Sequence, residues 1–60
     1  MLQRDSTWEA AYRLMMRAFA AQGSRAQVQA AYNRCAAVLA EELDVAPSPE
    51  TRALLEHLIG

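Results

Sequence analysis

Apolar and polar residues alternate along this chain with helical spacing, in three blocks. In the first, Trp8, Ala11, Tyr12, Met15 and Phe19 recur at steps of three and four, the period of one helix face. Ala10, Leu14, Ala18 and Ala21 form a second apolar side, so this helix reads as covered on two flanks. Arg13 and Arg17, four apart, read as a solvated edge. In the second block the stripe is Val28, Ala31, Tyr32, Cys35, Val38, Leu39 and Leu43, with Gln29, Asn33 and Arg34 on the wet side. The third offers Leu54, Leu55, Leu58 and Ile59. No run alternates with a period of two, so no strand is expected.

Turn residues set the boundaries. Gly23 can take the left-handed conformation that closes a helix. Ser24 and Gln27 stand at capping-box spacing for the next helix, as Ser6 and Glu9 do for the first, where Asp5 competes for the cap. Pro47 forbids helical continuation, Ser48 is placed to cap, and Pro49 fits the first helical position. The expected helices span about 6–22, 25–43 and 49–59. The short Gly23 turn forces the first two into an antiparallel hairpin with Phe19 and Tyr32 on facing sides.

Phe19, Gly23 and Tyr32, an aromatic on each side of a turn glycine, resemble the tetratricopeptide repeat in part: Val28 and Cys35 stand where small residues are usual, and the later proline is missing. A closer resemblance covers nearly the whole chain. The stretch Asp5-x-x-x-Glu9-x-Ala11-x-Arg13-x-Met15-Met16-Arg17-Ala18-Phe19 is similar to the last repeats of the bacterial transcriptional activator domain. So are Gly23, Arg25, Tyr32, Leu39 and the run Glu41-Glu42-Leu43-Asp44-Val45-Ala46-Pro47-Ser48-Pro49-Glu50-Thr51. That run is long and unusual in composition. Asp44 replaces a usual glycine, Leu55 a usual aromatic, and Ser6 a frequent proline. The resemblance implies an all-α, tetratricopeptide-like module within a transcription regulator of the antibiotic-regulatory-protein type, or a large ATPase-linked regulator. It further implies that DNA is read by a separate winged-helix domain.

Composition narrows the function classes. Sixty residues make one helical module, 1–60, expected to be part of a larger regulator. A chain this short buries only about 60% of its unfolded surface, and much of its apolar share is alanine. The net charge of −1 gives no basic field for nucleic acid. One cysteine excludes an internal disulfide. The polar start Met1-Leu-Gln-Arg-Asp carries no signal-peptide pattern, and no apolar run would span a membrane, so a cytoplasmic protein is expected.

Candidate chemistry is sparse. Cys35 sits on the apolar stripe and reads as a buried, inert thiol. His57 reads as a helix-end or solvated residue, and adjacent Glu56 points elsewhere. Glu41, Glu42 and Asp44 lack a histidine or cysteine to join them as ligands. The expectation is no enzyme, no cofactor and no metal. The function expected is a protein–protein or interdomain contact, with Trp8, Tyr12, Leu55 and Leu58 as candidate interaction residues. The alternative is a helix-turn-helix DNA-binding domain, whose recognition helix would offer only Arg25 and Arg34 against Glu41 and Glu42. A structural cap without a partner is a third reading. The surplus of apolar surface predicts a homodimer or higher oligomer, by two-fold pairing or by exchange of the last helix.

Overall fold

A computed structural model describes residues 7–60, and for Thr7 its backbone only. It holds three helices: α1 (Thr7–Ala21), α2 (Arg25–Glu42) and α3 (Pro49–Ile59). The all-α, tetratricopeptide-like arrangement read from the sequence holds, and each helix boundary falls within about a residue of its expected place. The expected cap at Asp5 or Ser6 lies outside the described residues.

The first hairpin closes as the glycine requires. Gly23 has φ 78. Ser24 N–H donates to Phe19 C=O at 3.0 Å, and Gly23 N–H donates to Ala20 C=O at 2.9 Å. Those two bonds make the Schellman closure, which satisfies carbonyls at the end of α1. The predicted capping box does not form, because Ser24 makes no side-chain cap hydrogen bond. Its backbone sits at φ −104, ψ 83 rather than in the extended region. The Ser24 carbonyl takes the Gln27 N–H at 3.1 Å, so the hydroxyl has no place there.

Met16, Val28 and Ala31 form the core cluster. Phe19, Ala20 and Tyr32 pack against it from the hairpin, and Leu54, Leu55, Leu58 and Ile59 from α3. Cys35 and Leu39 are also buried, continuing the α2 stripe as expected. Leu43 departs from it: this residue is the C-cap of α2 and is exposed. Gln29 is half-buried and donates to Asn33 Oδ1 at 3.0 Å.

The α1 helix is turned relative to its predicted stripe. Its inward residues are Glu9 and Met16, buried, with Tyr12, Arg13, Phe19 and Ala20 half-buried. Trp8, Ala11 and Met15 are exposed. The difference is about one residue's step around the helix, roughly 100°. Counting apolar residues misjudged the face because α1 is apolar around most of its circumference and carries a carboxylate at the centre of its buried side. The second flank, Ala10, Leu14, Ala18 and Ala21, is exposed in this chain.

Between α2 and α3, Asp44 takes the left-handed conformation at φ 57. Leu43 and Val45 N–H groups both donate to Leu39 C=O, at 2.9 and 3.3 Å. A non-glycine residue adopts such a backbone at a cost. Asp44→Gly removes that cost while adding chain entropy to the unfolded state. The expected outcome is a change between neutral and about 1 kcal/mol stabilising, read from thermal melts. A clear loss of stability would reveal a contact that the aspartate carboxylate makes.

Candidate functional site

The polar chemistry of the chain gathers where the start of α3 meets the first turns of α1. Ser48 caps α3 with φ −68, ψ 161, and Pro49 occupies the first turn. The Ser48 hydroxyl accepts the Thr51 N–H at 3.3 Å. These positions follow from the Pro-Ser-Pro run: proline sets the backbone on both sides of the cap.

Glu9 reaches this turn from α1. Its Oε2 accepts the Ser48 backbone N–H at 2.6 Å and the Thr51 hydroxyl at 2.8 Å. Arg13, one turn further along α1, donates from a guanidinium nitrogen to Thr51 Oγ1 at 2.9 Å. The Thr51 hydroxyl therefore donates to a carboxylate and accepts from a guanidinium. Glu9 is 2% exposed and Thr51 0%. A carboxylate cannot be buried cheaply without donors, and the start of a helix supplies them together with the positive end of its dipole. Among the described residues no buried side-chain nitrogen or oxygen lacks a partner.

This arrangement corrects the reading of Arg13 as solvated: it is half-buried and engaged with Thr51. Sequence reasoning missed Glu9 and Thr51 as partners, because they stand 42 residues apart. The available signal was that Glu9 and Arg13 share one helical flank while Ser48 and Thr51 share one capping turn.

Cys35 lies close enough for Glu9 and Arg13 to affect it, yet its side chain is fully buried. Burial pushes the thiol above its usual value; the Glu9 carboxylate adds to this and the Arg13 guanidinium works against it. A protonated, inaccessible thiol is not a nucleophile. His57 is exposed in the last turn of α3. Among the described residues no group of three or more His, Cys, Asp or Glu could hold a metal ion. No helix there is long and apolar enough to cross a membrane.

The predicted interaction residues fall in different settings. Trp8 is 44% exposed and Tyr12, one turn on, is half-buried. Leu55 and Leu58 are half-buried against the core cluster. A charge at either leucine would therefore strike the seating of α3, not only a surface. Open apolar surface lies on another side of α1, apart from Leu43 and Val45 in the linker. Trp8, Ala11, Leu14, Met15 and Ala18 are all exposed, Leu14 at 67%, and their spacing makes them one stripe.

An all-α hairpin with a third helix buckled onto it defines a small helical repeat-type module. The chain belongs to the bacterial transcriptional activator domain family, whose profile matches residues 1–59. No curated protein and no solved structure matches it.

Two substitutions measure the buckle. Thr51→Val leaves the Glu9 carboxylate and the Arg13 guanidinium each short of a buried partner, at an expected cost of about 1–3 kcal/mol in thermal or denaturant unfolding. Thr51→Ser should recover most of it, since the hydroxyl is the group required. The two serines make a matched control: Ser48→Ala should cost about 1 kcal/mol, and Ser24→Ala clearly less, since only Ser48 holds a cap through its side chain.

Proposed function

We propose that this chain is a non-catalytic interaction module of a larger cytoplasmic bacterial transcription regulator, docking other domains or a further copy through the outer face of α1. Membership of the activator-domain family places the chain in transcriptional regulation. The observation that carries the docking role is the exposed stripe of Trp8, Ala11, Leu14, Met15 and Ala18. Its inward neighbours are committed to the core and the buckle, so this face remains for a partner. Large exposed apolar side chains set side by side mark association surfaces. Full burial of a large side chain is worth about 1.5–3 kcal/mol; Leu14 has most of that still to gain and Trp8 and Met15 somewhat under half each, enough together to favour a helix of matching character. Small alanines between them allow a partner helix to approach closely.

Trp8 is the single tryptophan, so it reports directly on this face. As chain concentration rises to high micromolar, its emission should shift to the blue as a partner surface covers it. Leu14→Glu should abolish that shift while leaving helicity unchanged, because Leu14 makes no part of the core cluster. Trp8 emission that stays at the water-exposed position throughout would overturn the reading. A low-salt gel shift should show no salt-sensitive DNA binding, since phosphate contacts dominate such affinity and Arg25 and Arg34 stand on a helix ending in Glu41 and Glu42.

A further inference from the structure

The α3 helix is seated entirely by groups on α1 and α2. Three hydrogen bonds converge on Glu9 Oε2 and Thr51 Oγ1 at its first turn. One apolar face, Leu54, Leu55, Leu58 and Ile59, lies on the Met16, Val28 and Ala31 cluster. None of these contacts depends on which chain the helix comes from. Any helix of this sequence fits the seat, because one already occupies it.

The linker into α3 holds the one non-glycine residue with positive φ among the described residues. Asp44 is held at φ 57, in the left-handed region that disfavours a residue with a side chain. Leu43 and Val45 N–H groups share a single carbonyl acceptor, Leu39. Both side chains are half-exposed apolar groups, at 47% and 49%. If α2 ran on through Asp44, the aspartate would return to negative φ and the two N–H groups would gain separate acceptors. Pro47 would still force Ala46 into an extended shape, so the chain would leave α2 before reaching α3. The folded-back linker is thus a strained hinge of the kind that favours exchange between copies.

We propose that α3 is an exchangeable element, and that two copies of this chain pair by straightening at Asp44 and seating each α3 on the α1 and α2 of the other. The seat is the same in both forms, so its contacts neither favour nor oppose exchange. The balance lies between hinge strain, with contacts among the four exposed Leu43 and Val45 side chains, and the entropy lost on association. The dimer is therefore concentration-dependent. It leaves the outer face of α1 free, which separates it from the docking role proposed above.

The test uses the Leu14→Glu background, where that outer face is disabled. Glu9→Ala damages the seat, and Leu58→Asp damages the helix that fills it. Each variant alone lacks any sound pairing of seat and helix. A mixed exchanged dimer regains one, formed from the seat of the Leu58→Asp chain and the α3 of the Glu9→Ala chain. Mixing should therefore restore a cooperative melt and a dimer mass by sedimentation that neither variant shows alone. A mixture that melts as the average of its parts would overturn the proposal. Removing Val45 and Ala46 supplies a second reading, because the shortened linker keeps α3 from its own seat. That chain should sediment as a folded dimer at concentrations where its parent is monomeric. Either a folded monomer or an unfolded chain at high micromolar concentration would overturn the exchange. Asp44→Gly, which removes the hinge strain, should lower the dimer fraction several-fold.

Discussion

The carboxylate of Glu9 is the constraint from which the rest of this small structure follows. It is buried in α1 and needs donors within reach. The structure answers with the Ser48 N–H at 2.6 Å and the Thr51 hydroxyl at 2.8 Å. Both belong to the capping turn of α3, so the need of one side chain fixes where the start of a whole helix docks on α1. Arg13 adds a second hold on Thr51. Hydrogen bonds to charged groups contribute more than neutral ones, yet much of that gain is offset by taking the charge out of water. The larger consequence is positional. An apolar contact could slide along α3, whereas a carboxylate meeting one N–H and one hydroxyl cannot.

Pinning α3 in this way settles what each face of α1 does. Glu9 and Met16 point inward, and Tyr12, Phe19 and Ala20 follow on the same side. That commitment leaves Trp8, Leu14 and Met15 outside, with alanines between them. The exposed stripe is thus a consequence of the buckle, not an independent feature. A domain of this length has little core to spare, so an apolar face left open on it is a substantial fraction of its apolar resources.

Much of the fold was legible because its punctuation is local. Gly23 ends α1 through contacts within six residues, and Pro47, Ser48 and Pro49 announce α3 through backbone preferences alone. The α2 stripe was readable because α2 has a wet side to contrast with it. The face of α1 was not, for two physical reasons. The charged residues that mark the wet side of a helix, Glu9 and Arg13, here turn inward to α3, and a buried glutamate looks like a solvent residue until its donors are known. Ser24 and Ser48 illustrate the limit at finer scale. Both precede a helix, but ψ is 83 at one and 161 at the other, and only the second aims the hydroxyl at a free N–H. The family resemblance was carried by two distant stretches, one holding Glu9 and Arg13 and the other Ser48 and Thr51. The structure gives their co-occurrence a physical reason, since each stretch satisfies the other.

The same interaction decides between two rotations of α1. Turning α1 by about one residue would bring Trp8 and Met15 inward and carry Met16 out. By area alone that exchange is close to even: fully burying a large side chain is worth about 1.5–3 kcal/mol, but Trp8 and Met15 are already more than half covered while Met16 would lose all of its burial. The rotation would also pull Glu9 away from α3. The Ser48 N–H would then lose its acceptor, and the Thr51 hydroxyl its bonds to Glu9 and Arg13. Each buried polar group left without a partner costs about 1–3 kcal/mol. The polar terms are thus at least of the same order as any apolar gain, and they are discontinuous where the apolar terms vary smoothly. A small helix pair with a sparse core has few other means of choosing one rotation. Here a single buried carboxylate makes the choice, and the apolar stripe of Trp8, Leu14 and Met15 stays outside as its consequence.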